Sequence, residues 1–139
     1  MSDVLQVEDL DWLMAGFKKR VPGVLHAIAV TADGFHLAST PGLPEAARRQ
    51  LCPVTCGLAS LATGLSGQLG KGSCRRLVID TERGRLVVAS ISDGSALTVL
   101  VNHRADLGQL GYEVDLLVAR VGQALTPETR SALAAGGGR

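Results

Sequence analysis

Aromatic side chains are scarce in this chain: one Trp, one Tyr and two Phe in 139 residues. Single-stranded nucleic acid is bound on aromatic platforms beside a basic groove, and duplex binders carry a basic stripe. Here 14 basic residues face 13 acidic ones for a net charge of +1, and the basic ones are scattered, which argues against a nucleic-acid partner. Cysteine is sparse too: Cys52, Cys56 and Cys74 follow no disulfide-framework spacing, which fits a reducing cytoplasm. The opening MSDVLQVEDLDWL is acidic and lacks the apolar run of a secretory signal. A cytoplasmic protein is expected, with any membrane association made through partners. The length suits one domain with a sizeable core.

Several chemistries are absent for want of spacing. Leu51 to Gly70 carries no charged residue and is as long as a membrane span, but Pro53, four glycines and Gln68 make it a poor lipid-facing helix. The approach to Gly70-Lys71 would be a phosphate loop only with Gly at 65 and Ser or Thr at 72, where Leu65 and Gly72 stand. Cys52 and Cys56 lie one helical turn apart, yet no second Cys or His pair completes a zinc site. His26, His36 and His103 are dispersed. Ser39, Ser90, Ser92 and Ser95 sit in no nucleophile elbow. No cofactor, metal or catalytic residue is expected.

What the chain does have is a regular succession of elements. Residues 8–20 read as an amphipathic helix, with Leu10, Leu13, Phe17 and Val21 on one face, Trp12 and Met14 flanking, and Lys18, Lys19 and Arg20 in the last turn. Pro22-Gly23 ends it. Val24–Thr31 is a strand, with His26 alternating with Val24, Ile28 and Val30. Asp33-Gly34 turns it into a shorter partner, Phe35–Ser39, nearer an edge. A long helix follows the Pro41–Pro44 loop, and Pro53 implies either a bend or a true start near Cys52. Then come three strands, Cys74–Thr81, Arg85–Ser92 and Ser95–Asn102, whose two faces are both apolar and both need cover. Asp106 with Gln109 resembles a capping pair for a last helix with Leu107, Leu110, Val114, Leu117 and Val121 on one face. The expected fold is α/β in the layered α+β sense, order α-β-β-α-β-β-β-α. A five-stranded antiparallel sheet carries the long helix on one face and the terminal helices on the other. Residues 1–7 read as an extension, 8–124 as the domain and 125–139 as a disordered, Gly-rich tail.

The long helix is the organising element. Leu51, Val54, Leu58, Leu61 and Leu65 form one apolar stripe. Cys52, Cys56, Ala59, Thr63 and Ser66 form a second, small and uncharged. Such a helix packs twice, once on its own domain and once on something else, and the small stripe is the expected outer face. Arg75, Arg76, Arg83 and Arg85 surround one hairpin, as a solvated rim or as a docking patch for an acidic partner.

PGV at 22–24, TADGFHLAS at 31–39, the Ala/Leu/Gly-rich helix and GRLVVASISDGSALTVLVN at 84–102 together resemble the Roadblock / dynein light-chain family over about residues 8–124. The chain resembles the small bacterial members of MglB type, and its opening DLDWLMAGFKKRVPGVLHAIAV resembles in particular those of actinomycete conservon operons, which sit beside a sensor-kinase-like protein and a small Ras-like GTPase. The resemblance implies a noncatalytic homodimer, joined through the long helix and the edge strand after it, on which a small Ras-like GTPase docks. On that basis the dimer interface is expected at Cys52, Cys56, Ala59, Thr63, Ser66, Cys74, Arg76 and Val78, with partner docking around Arg75, Arg83 and Arg85. The alternative is a ligand-sensing domain of profilin-like or PAS-like architecture, which requires a cavity with convergent polar groups.

Overall fold

Leu10, Leu13, Met14 and Phe17 recur every three or four residues and make α1 (Val7–Arg20) one-sided. The computed structural model describes residues 7–92 and 94–125, with side chains from Leu10 onward. β1 (Val24–Val30) and β2 (His36–Ser39) form a hairpin, followed by α2 (Glu45–Gln68), the meander β3 (Arg76–Thr81), β4 (Gly84–Ser90) and β5 (Ala96–Val101), and α3 (Leu107–Ala124). The element order is the one expected. Every pairing is antiparallel, in the spatial order β2-β1-β5-β4-β3.

The two faces of the sheet are covered unequally. α1 and α3 seal one face over a large core with Phe17, Leu97, Val99 and Val114 at its centre. Met14 is fully buried there rather than flanking, and Trp12 is exposed. On the other face α2 closes a much smaller cluster of Ile28, Val30, Cys52 and Ala96, with Leu43, Leu51 and Ala59 packed against it. Val24 does not share a face with Ile28 and Val30, as strict alternation would have it. The β1–β5 register shifts between Val24 and His26, so Val24 joins the larger core. An extra residue in one strand inverts every side chain beyond it.

Helix ends and turns follow local chemistry. α2 starts on Pro44 and runs unbroken through Pro53, so the later start near Cys52 does not occur. The Pro53 ring stands on the exposed side. Asp106 caps α3 by accepting from the Gln109 backbone N–H at 3.0 Å. Gly23 has φ +94°, and a Cβ there would lie 2.9 Å from Ala105, a conformation and a clearance open to glycine alone. The tail expected at 125–139 lies outside the described residues except Leu125, which is buried.

Candidate interaction surface

The side of α2 that meets the sheet is set by small residues. Cys52 and Thr55 are the buried positions of the helix, and Ala59 packs on the same cluster. Thr55 Oγ1 lies 2.6 Å from Thr98 Oγ1 on β5, so two buried hydroxyls satisfy one another. Cys56 donates its thiol to the Ala32 carbonyl at 2.9 Å. Much of the leucine stripe points outward, Leu61 being 74% exposed, Leu65 59% and Val54 48%, while Leu51 packs on the inner cluster. Apart from Leu51 and the exposed Thr63, inward and outward sides are thus reversed from the sequence expectation. Ile28 and Val30 supply the bulk between helix and sheet, and the small Cys52 and Ala59 pack on them together with Leu51.

The interface residues expected from sequence therefore separate. Cys52, Cys56 and Ala59 are committed to their own domain. Ser66 donates to the Gly72 carbonyl at 2.6 Å, holding the chain as it leaves α2. Thr63 is exposed on the flank of the helix. Cys74 donates to the Arg76 carbonyl at 3.3 Å. Val78, more than half exposed, stands on β3. The large apolar residues left exposed along this surface include Leu61, Leu65 and Leu69. Leu61 and Leu65 belong to the stripe that hydrophobicity alone assigned to the core.

The two sheet edges differ. On β2, the Asp11 carboxylate of α1 accepts from the Ser39 backbone N–H at 3.1 Å, which occupies an edge donor that a further strand would need. The outer edge of β3 has no strand beside it. α2 makes its sheet contacts with β1, β5 and β4, so Leu77 and Ile79 of β3 remain partly exposed on the α2 face, in line with the half-buried Leu86 and Leu100. The outward leucines of α2 and this uncovered apolar strip beside the free edge lie on the same side of the sheet.

The arginines do not converge. Arg75 and Arg76 precede or open β3, whereas Arg83 and Arg85 lie at its far turn, about 20 Å away for six strand residues. Arg76 bonds the Gly111 carbonyl at 3.0 Å and Asp115 at 3.4 Å, while Arg85 and His103 both reach Asp80 at 3.3 Å. Such exposed pairs contribute little to stability. Two histidines are held below their ordinary values: His36 by burial and then Arg48, against the opposing Asp11, and His26 by burial and then Lys18. Burial pushes the Cys52 thiol up, against Arg48. Among the described residues no three His, Cys, Asp or Glu side chains are grouped to hold a metal, and no helix is long and apolar enough to cross a membrane.

The sheet thus has one occupied edge and one free edge, and α2 leaves large apolar side chains in solvent. The Roadblock/LC7 domain model matches residues 10–101, and the chain belongs to that family, a family of regulatory and adaptor domains. A Roadblock/LC7 domain from Streptomyces avermitilis is similar at 32% identity and TM-score 0.75, covering 80% of this chain and 92% of that one. MglB from Myxococcus xanthus (14% identity, TM-score 0.74, 83% and 93% covered) and the gliding protein MglB from Thermus thermophilus (19%, 0.74, 87% and 93%) share the fold. No curated protein matches the chain.

Proposed function

We propose that this chain is a noncatalytic homodimeric platform that binds a small Ras-like GTPase in a bacterial signalling system. The observation that carries the reading is the outward leucine side of α2 beside the free edge of β3. Full burial of a leucine is worth roughly 1.5–3 kcal/mol, so a helix that leaves Leu61 and Leu65 in water has an incentive to pair. A two-fold axis through the β3 edge would let the same strand and helix serve both copies. The partner's α2 would then cover Leu77 and Ile79. Membership of the Roadblock/LC7 family and likeness to MglB structures support the same reading.

A dimer of this kind offers a surface on which a standard interface area is easily reached. GTP hydrolysis then belongs to the partner, and discrimination between nucleotide states comes from the partner's switch loops, ordered around the γ-phosphate. The test is titration calorimetry of the purified chain against the GTPase encoded nearest to its gene. The partner is loaded with a non-hydrolysable GTP analogue or with GDP. Tighter binding to the GTP form is expected. Equal binding removes nucleotide reading, and absence of binding in both states removes the platform.

A further inference from the structure

We propose that Arg76 and Asp80, set symmetrically about Val78, make the free edge of β3 select a second copy of this chain in one antiparallel register. The inference rests on the homodimer proposed above and names the residues that decide its pairing. Ser90 of β4 donates its backbone N–H to the Arg75 carbonyl at 3.1 Å, and Arg76 stands opposite Ala89. Bonded and non-bonded rungs alternate along an antiparallel pair. Leu77 and Ile79 therefore turn their backbone groups toward β4, while Arg76, Val78 and Asp80 turn theirs to the free edge. The Arg76 carbonyl accepts from the Cys74 thiol at 3.3 Å and keeps its second lone pair.

Two-fold pairing of identical antiparallel strands sets one residue opposite itself. With Val78 in that place all three outward residues form rungs, and Arg76 stands opposite Asp80 of the partner subunit on both sides of the axis. An axis at Arg76 or at Asp80 opposes like charges, and an axis at Leu77 or Ile79 sets a charge opposite Val78. Directly opposed side chains have Cβ atoms about 4.5–5.5 Å apart, close enough for an ion pair. Atoms remain for it. Arg76 uses Nη1 for the Gly111 carbonyl and Asp115, and Asp80 uses Oδ1 for Arg85 and His103. Arg76 Nη2 and Asp80 Oδ2 have no partner among the described residues. Exposed pairs add little stability, but like charges brought together penalise the wrong register and the wrong partner strand.

The test uses two full-length variants, Arg76→Asp and Asp80→Lys, in sedimentation velocity of each alone and of their equimolar mixture. Each alone sets two like-charge pairs across the axis. Each should self-associate at least tenfold more weakly than the native chain, with unchanged circular dichroism. In the mixture every charge at position 76 meets its opposite at position 80, so the heterodimer should form with about native affinity. Variants that self-associate as tightly as the native chain, or a mixture no tighter than its components, would overturn the register and leave the dimer standing. A native chain that stays single would remove the dimer and the register with it. Val78→Cys gives a readout that moves no charge. In a bonded rung Val78 and its copy have Cα atoms about 5.5 Å apart, within disulfide range, so mild oxidation should give a covalent dimer. The native chain should not cross-link, because Cys74 would stand opposite Glu82, far from its own copy. A Val78→Cys dimer that fails to cross-link would equally overturn the register.

Discussion

Thr55 of α2 and Thr98 of β5 share a buried hydrogen bond, Oγ1 to Oγ1 at 2.6 Å, which ties the sheet-facing side of the helix to β5. Replacing either residue by Val keeps the volume but strands the other hydroxyl in an apolar site. Each single variant should lose about 1–3 kcal/mol. The double variant should lose clearly less than the sum, because it leaves no orphan. Urea denaturation of the four proteins measures the cycle, and strict additivity would mean that the two hydroxyls are not coupled.

Cys52 lies on the sheet-facing side of α2, and its burial raises the thiol's pKa. Since the thiolate is the nucleophile, Cys52 should be alkylated far more slowly than the half-exposed Cys56 and Cys74 under native conditions, and at a comparable rate in denaturant. Mass spectrometry of iodoacetamide-treated protein reads this directly. Equal rates in the native state would show that α2 does not stay seated on the sheet.

His36 is held below its ordinary value of 6.5, first by burial and then by Arg48, with Asp11 opposing, and His26 is lowered by burial and Lys18. The unfolded chain therefore binds more protons than the folded one as the pH falls below about 6.5. The contribution is fully present above the unfolded value and is lost as the pH drops toward the depressed folded value. The urea midpoint should be higher at pH 7.5 than at pH 5.5, and His36→Gln should flatten part of that slope. An unaltered slope in His36→Gln would assign the dependence elsewhere.

Much of this fold was legible because short-range chemistry sets it. Asp33-Gly34 gave the first hairpin, Pro22-Gly23 stopped α1, and the Asp106–Gln109 spacing marked the start of α3. Both sheet edges were also anticipated, β2 from its shortness and β3 from its place at the head of the meander. The facing of α2 was not legible. Hydrophobic patterning ranks Leu61 and Leu65 above Cys52, Thr55 and Ala59 for burial, but the sheet beneath already carries Ile28 and Val30. Close packing at fixed volume favours small helix residues there, and that volume belongs to residues more than twenty positions away in the chain. Arg75 and Arg83 looked like neighbours because they flank one hairpin, whereas the length of β3 separates them.

Gly84 opens β4, and a Cβ at that position would stand 2.6 Å from the Val101 carbonyl oxygen. Backbone rather than a flexible side chain is in the way, so β4 and β5 would have to part. Gly84→Ala should destabilise by about 1–3 kcal/mol, the usual cost of overpacking. Thermal and urea denaturation measure it. Unchanged stability would mean that the β4–β5 ladder tolerates displacement at its end.

The outward leucines and the free edge of β3 stand or fall together on the oligomeric state. Multi-angle light scattering at micromolar concentration should give twice the 14.4 kDa chain mass for the native protein. Leu61→Asp places a charge at a position 74% exposed in the single chain. It should therefore yield the 14.4 kDa species with unchanged helical circular dichroism, whereas Ala59→Asp, beneath the helix, should impair folding itself. A native protein of single-chain mass, or a Leu61→Asp variant that remains a dimer, would contradict the assignment of this surface.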